Sequence, residues 1–176
     1  MANLKLKNPA GGSLNLVSAD GASDLTLTFP ATTGTAMVSG NMPAFSAYAS
    51  AGTSISNATF TKINYATENF DTNNNFASSR FTPTVAGYYQ ISAGTRFGSI
   101  TASIVVMYVW KNGSGFQSGS GSGVSSGYVY PSISTLVYAN GSTDYFEIYC
   151  YQNTGGSTTS DAGSDYAFTG ALVRAA

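Results

Sequence analysis

Residues 81–97, FTPTVAGYYQISAGTRF, constrain the fold of this chain more than any other stretch. A corner containing Pro83 and Gly87 precedes a run in which large and polar side chains alternate. A period of two is typical of a β-strand with one buried and one exposed face. The stretch therefore predicts a strand over 87–97. Its core face is expected to carry Tyr89 and Ile91, and its outer face Tyr88 and Arg96.

The composition extends this prediction to the whole chain. Only 9% of the 176 residues are charged, aromatic residues make up 13%, and there are 20 glycines. This mixture favours strands and turns over helices, and no segment shows an apolar repeat of 3.6 residues. We therefore predict an all-β protein with the fold of an antiparallel jelly-roll sandwich. The predicted strands are 44–49, 59–65, 78–82, 87–97, 101–111, 128–139, 144–152 and 166–174.

The chain is predicted to have two parts, residues 1–42 and residues 43–176. The first part has two short alternating runs separated by turn formers, with too little apolar content for a core of its own. We expect it to be an extended arm that packs on something else. Within the second part, residues 112–127 are rich in Gly and Ser and are predicted to be a flexible loop. Phe116 and Gln117 in that loop are candidate receptor contacts.

Two of the predicted strands, 101–111 and 144–152, have apolar or aromatic residues on both faces. An antiparallel strand with one wet face should alternate, so a second subunit is expected to cover the extra face of these strands. The absence of charged residues from 25–61 and from 112–143 also favours buried surface. A cross-strand ladder of exposed tyrosines is the alternative. The predicted subunit-interface residues are Val105, Met107, Val109, Tyr145, Tyr149 and Tyr151.

Several classes of function are disfavoured by what the sequence lacks. The chain has no histidine and one cysteine, Cys150, which removes Ser-His-Asp and Cys-His catalysis and thiolate metal sites. The Asp71-x-Asn73-x-Asn75 string lacks the glycine and glutamate of a calcium loop. The net charge is −1 with scattered cations, so no nucleic-acid partner is expected. We predict a protein without catalytic residues, metal or cofactor, and without membrane insertion.

Six short motifs, in order, resemble the globular domain of complement C1q and its relatives in the tumour-necrosis-factor superfamily. The resemblance implies a ten-stranded jelly roll, a tight homotrimer and a binding module rather than an enzyme. It covers roughly residues 44–174, with two departures: the Gly-Asp pair is split between Gly141 and Asp144, and a frequent histidine is absent. The motifs are Ala44–Ala47, Phe60–Asp71, Phe81–Ser92, Trp110–Gly113, Gly141–Ile148 and Phe168–Val173.

The N-terminal part resembles segments of bacteriophage virion proteins, particularly fibres. The similarity lies in Gly11–Leu16, an alternating strand, and then Phe29-Pro-Ala-Thr-Thr-Gly-Thr35. It implies a structural protein on the virion surface, made in the host cytoplasm without a signal peptide and bound to other virion proteins of the capsid or tail. A fibre or decoration knob is favoured over the tip of a tail fibre that binds a host glycan or protein. The candidate anchor residues are Leu14, Leu16, Leu25, Leu27 and Phe29.

Overall fold

The computed structural model describes residues 4–7, 9–16, 37, 40, 42–98, 100–101, 104–121 and 127–176. The chain divides into two compact units, residues 1–34 and residues 35–176. In the first unit, strand β1 (Leu4–Lys7) pairs antiparallel with strand β2 (Ser13–Leu16). The division falls a few residues before the predicted boundary at 42/43, and the anchoring role of the first unit stays a prediction.

The described part of the second unit contains β-strands and no α-helix. Every pair of strands in it is antiparallel, which confirms the predicted all-β class. The strands are β3 (Ala44–Ala49), β4 (Ser54–Ile55), β5 (Thr61–Lys62), β6 (Thr67–Asp71), β7 (Phe76–Ala77), β8 (Arg80–Phe81), β9 (Gly87–Gly94), β10 (Val105–Lys111), β11 (Ser114–Gly121), β12 (Ser132–Ala139), β13 (Phe146–Gln152), β14 (Thr158–Thr159) and β15 (Gly163–Ala175).

Eleven of these strands form one hydrogen-bonded sheet that has two halves. The first half-sheet has the order β6-β3-β15-β9-β12, and the second has the order β11-β10-β13-β8-β7, with β5 also paired to β13. A single residue pair, Ser120 with Ser132, joins β11 to β12 and so connects the two halves. Strands distant in sequence lie side by side, as expected for a jelly roll.

The core lies between the two half-sheets. Phe45 and Tyr89 of the first half-sheet contact Phe81 of the second, with ring centroids 4.4 Å and 5.5 Å from Phe81. Tyr89 and Ile91 are fully buried and Tyr88 is exposed, which confirms the predicted faces over β9. β9 ends at Gly94, so Arg96 lies in the loop after the strand and not on its outer face. Phe146, Ile148 and Cys150 on β13 are fully buried too. Burial raises the pKa of the Cys150 thiol to about 12, so this cysteine behaves as a small core residue.

The Gly/Ser-rich segment is a strand over part of its length, and the predicted loop over 112–127 is wrong there. β11 covers Ser114–Gly121 and pairs with β10 along its length. A Cβ on Gly119 would lie 2.2 Å from the carbonyl oxygen of Ser132 and 2.7 Å from Cβ of Ile133. A glycine is therefore needed for β11 to approach β12 so closely. A high content of Gly and Ser usually indicates a flexible loop. In this segment it allows two strands to pack closely.

Candidate functional site

Half of the predicted subunit interface belongs to the core of the single chain. Val105, Met107 and Val109 on β10 are each fully buried between the half-sheets. A side chain that is already enclosed cannot contact a second subunit, so this prediction is wrong. The opposite face of β10, with the half-buried Tyr108 and Trp110, points outward.

The outer face of the second half-sheet carries a cluster of five aromatic rings, which we call the aromatic platform. Phe60 lies in the loop before β5 and is 44% exposed. Its ring centroid is 5.0 Å from that of Tyr108, 5.7 Å from Trp110 and 5.2 Å from Tyr151. Tyr149 stacks on Trp110 at 4.0 Å. These contacts cover the outer face of β10 and β13 within one chain, and they match the alternative of a cross-strand aromatic ladder.

Beside the platform, Glu147 holds two cations. Its Oε1 accepts hydrogen bonds from Lys62 Nζ and from Arg80 Nε, each at 2.9 Å. The carboxylate is buried, which alone would raise its pKa, but the hydrogen bonds and charges of the two cations outweigh burial and lower the pKa of Glu147. Burial raises the pKa of the Tyr149 hydroxyl, and the charge of the Glu147 carboxylate raises it further, so the ion pair and the platform are electrostatically connected.

A cavity of about 590 Å³ opens next to this ion pair. Its charged lining residues are Lys62 and Arg80, and its other polar lining comes from hydroxyl and amide side chains such as those of Asn74 and Thr82. Arg80 also lies over the Tyr145 ring, with Cζ 3.9 Å from the ring centroid. Glu147 and the platform rings Tyr149 and Tyr151 share the outward face of β13. The cavity opens beside them, where Lys62 and Arg80 lie on the strands paired to β13.

The outer face of the first half-sheet has a different character, because its central rows are uncharged. One row across the strands consists of Phe70, Ser46, Thr169, Ser92 and Ser134. The next row consists of Ala44, Ala171, Gln90 and Leu136. We call these two rows the neutral face.

Polar side chains on the neutral face are bonded to one another. Gln90 Nε2 donates to Ser134 Oγ at 2.8 Å, and the hydroxyls of Ser92 and Ser134 lie 3.0 Å apart. Large apolar side chains flank them, with Leu136 53% exposed and Phe70 52% exposed. A groove of about 320 Å³ lies on this face. A larger groove of about 880 Å³ extends from it to β11, and its lining includes the charged residue Asp165. A surface whose polar groups are already satisfied loses little when a partner removes water from it.

The candidate receptor residues lie on β11 rather than in a loop. Phe116 is 47% exposed, and Gln117 is exposed beside it. A receptor role for these two residues stays a prediction.

The candidate anchor residues fall in the first unit. Leu14 and Leu16 lie on β2, in backbone register with Leu6 and Leu4 of β1. Leu25, Leu27 and Phe29 lie outside the described residues. The anchoring role of all five leucine and phenylalanine positions stays a prediction.

Across the described ranges, no group of three Asp, Glu or Cys side chains is placed to hold a metal ion. The carboxylate of Asp71, in the calcium-like string, instead accepts backbone hydrogen bonds from Asn73 at 3.3 Å and from Phe76 at 2.7 Å. The same described part of the chain has no helix long and apolar enough to cross a membrane.

Residues missed by the sequence analysis include Phe60, Lys62, Arg80 and Leu136. Lys62 and Arg80 are isolated cations in the sequence, and only the pairing of β5 and β8 with the same strand, β13, brings them together. Glu147, the acid between Tyr145 and Tyr149, is the sequence feature that points to these two cations. A carboxylate on a mostly buried strand needs cationic partners.

Comparison with solved structures places this architecture among known folds. The globular domain of zebrafish complement 1qA superposes with a TM-score of 0.58 at 14% identity, over 76% of this chain and 98% of that domain. Murine APRIL superposes with a TM-score of 0.58 at 8% identity, over 75% of this chain and 99% of that one. The vertex protein P5 of PRD1 superposes with a TM-score of 0.50 at 17% identity, over 76% of this chain and 96% of that one.

No protein-family model matches the sequence, and no curated protein matches it. At such low identities the structural similarity shows the fold alone. The function of the chain depends on the side chains at its surface. The second unit has the jelly-roll fold shared by the C1q globular domain, tumour-necrosis-factor-like proteins and the PRD1 vertex protein P5, as the sequence motifs predicted.

Proposed function

We propose that the chain is a non-enzymatic, homotrimeric structural protein of a bacteriophage virion. The second unit forms a knob at the virion surface, and the first unit holds it to other proteins of the capsid or tail. The fold shared with the PRD1 vertex protein P5 supports the virion assignment. The observation that carries the self-association is the neutral face of the first half-sheet.

The neutral face favours self-association for three physical reasons. Its two central rows contain no charged side chain, so burial of these rows leaves no ion without a partner. Its central hydroxyl and amide groups bond to one another. Its exposed apolar side chains, such as Leu136 and Phe70, gain from leaving water. The aromatic rings of the second half-sheet already pack within the chain, so the predicted interface role of Tyr145, Tyr149 and Tyr151 has less physical support than the neutral face.

Light scattering tests this assembly. The wild-type chain is expected at three times its mass of 18.1 kDa at micromolar concentration. Leu136→Lys places a charge on the neutral face and is expected to reduce the mass to that of a monomer without unfolding it, because Leu136 is 53% exposed. Phe60→Lys is the matched control, an exposed apolar residue on the other half-sheet, and should leave the trimer intact. A monomeric wild type would contradict the proposal, as would loss of the trimer in the control alone.

The anchoring role is tested by deleting residues 2–34, which form a separate compact unit. The deletion leaves Met37, which packs against the core of the second unit, and Gly40, whose carbonyl accepts a hydrogen bond from Asn73 Nδ2. The shortened chain is expected to remain a folded trimer and to be absent from purified particles by immunoelectron microscopy. Normal incorporation of the shortened chain would mean that the knob itself makes the attachment.

Attachment to a host-surface glycan or protein is the second candidate function. The outer face of the second half-sheet supports it, because exposed aromatic rings and a cavity lined by cations lie side by side there. Self-association through the neutral face would leave this other half-sheet open. Binding of the full-length trimer to host cells, compared with binding of Phe60→Lys, tests this role, and equal binding of the two proteins would count against it.

A further inference from the structure

We propose that the outer face of the second half-sheet binds a carboxylate-bearing saccharide, with the carboxylate at the cavity of Lys62 and Arg80 and the sugar rings over the aromatic platform. This inference deepens the host-attachment role and rests on that role being real. It commits to one ligand class, an acidic glycan.

The first observation is an excess of positive charge at the cavity. Lys62 and Arg80 share one carboxylate, and both reach the same oxygen atom of Glu147 at 2.9 Å. Two cations and one anion leave one unit of positive charge at the cavity wall. Because Glu147 is buried, the cations and not the carboxylate face the opening. A ligand with its own carboxylate would complete the pairing.

The donors available to such a ligand can be identified. Arg80 uses Nε for Glu147 and the face of its guanidinium group for Tyr145. Within the described residues, its terminal NH₂ groups remain for a ligand, and they suit a carboxylate. Lys62 Nζ donates to Glu147 and to the carbonyl of Ser78, which leaves one of its three N–H donors.

The second observation is the neutral polar lining of the same cavity. Side chains of Asn74, Ser78, Thr82 and Thr84 lie around its wall. Hydroxyl and amide groups both donate and accept hydrogen bonds, as the hydroxyls of a sugar do. A saccharide presents several hydroxyls on every ring, so a hydroxyl-rich ligand fits this lining.

The third observation is the aromatic platform that continues from the cavity along β13. Phe60 is 44% exposed, and Tyr149 and Tyr151 are half-buried on the outward face. The C–H face of a sugar ring packs favourably on the electron-rich face of an aromatic ring, and tyrosine hydroxyls bond to sugar hydroxyls. Lys62 lies opposite Tyr149, and Arg80 opposite Glu147, so the cations and the rings are adjacent and one saccharide could contact both.

Trp110 gives a local readout, because it is the single tryptophan of the chain and belongs to the platform. The full-length protein is titrated with tri-galacturonic acid and with its methyl ester, which has the same rings without the charge. Tryptophan fluorescence and calorimetry follow binding. The acid is expected to bind and to shift the emission, and the ester is expected to bind about tenfold more weakly, the loss of one charge-assisted contact.

Three variants identify the site. Arg80→Gln is expected to weaken binding of the acid about tenfold and to leave binding of the ester nearly unchanged. Phe60→Ala is expected to weaken binding of acid and ester alike. Arg96→Gln is the matched control, because Arg96 is also paired to a carboxylate, that of Asp161, at a distant position on the loop after β9. It should bind as the wild type does.

Three outcomes would overturn the proposal. These are absence of binding, equal affinity for the acid and the ester, and equal weakening by Arg80→Gln and Arg96→Gln. Light scattering on the same samples separates the two proposals. A trimer that binds no acidic saccharide overturns the ligand assignment alone, whereas a monomer that binds overturns the trimer alone.

Discussion

Glu147 shows at the scale of one residue how a carboxylate organises a surface. It is buried on β13 and connects three strands, because Lys62 lies on β5 and Arg80 on β8. Two hydrogen bonds from cations more than offset the cost of burying the charge, and the pKa of Glu147 falls as a result. Its charge therefore stabilises the fold and also sets the position of the two cations at the cavity.

The lowered pKa of Glu147 makes a prediction about acid stability. Its ionised form is stabilised in the folded chain, so its contribution is present above the ordinary pKa of 4.5 and is lost as the pH falls through the lower folded value. Glu147→Gln is expected to lower the free energy of unfolding by about 1 kcal/mol at pH 7, a figure reduced for the partial exposure of both cations.

Urea denaturation at pH 7, 5, 4 and 3 measures this effect. The difference between wild type and Glu147→Gln should stay constant down to about pH 4.5, the ordinary pKa of the group, and should then shrink. Glu68→Gln, at an exposed carboxylate on β6, is the matched control for removal of one negative charge. A difference that is unchanged at pH 3 would contradict the prediction.

At the scale of the element, β10 and β13 explain why a strand can be apolar on both faces. One face of β10 enters the core through Val105, Met107 and Val109. The other face is covered by Phe60, whose loop precedes β5. The sequence shows that both faces of β10 must be covered. The same pattern would arise whichever of the two faces lies in the core. The register of β10 with β13 decides which face is which.

The two faces of β10 are distinguished by truncating adjacent residues. Met107→Ala is expected to lower the free energy of unfolding by about 2–5 kcal/mol, because it leaves a cavity in the core. Tyr108→Ala is expected to cost less, because that ring is half-buried and outside the core. Chemical denaturation at pH 7 gives both values. A larger loss for Tyr108→Ala would show that the outer face, and not the inner one, carries the stability of β10.

At the scale of the molecule, the two half-sheets differ in the character of their outer faces. The neutral face of the first half-sheet suits a subunit contact, and the outer face of the second carries the charges and exposed rings of a binding surface. The division is consistent with a knob that assembles through one half-sheet and presents the other.

Assembly predicts that thermal stability depends on protein concentration. A trimer that dissociates on unfolding gains stability by mass action, so the Tm of the wild type should rise as the concentration increases. The Tm of Leu136→Lys should stay constant over the same range. Calorimetry at several concentrations measures both, and a wild-type Tm that is independent of concentration would argue against an assembly coupled to folding.

The sequence by itself was sufficient for the fold class, because alternation of side chains along 87–97 and the order of six motifs are local properties. The predicted burial of Tyr89 and Ile91 followed from period two and is confirmed. The strand at Ser114–Gly121 was missed because a Gly/Ser run has no alternation to detect. Its pairing depends on neighbours that are distant in sequence.

Only the tertiary structure decided which surfaces can act. The pairing of β5 and β8 with β13 brings Lys62 and Arg80 to one carboxylate across 85 and 67 residues of chain. Likewise, Leu136, Gln90 and Ala171 become one uncharged face only because β12, β9 and β15 are adjacent. Periodicity records which way a side chain points, whereas its neighbours across the sheet depend on topology and register, and those follow from how the whole core packs.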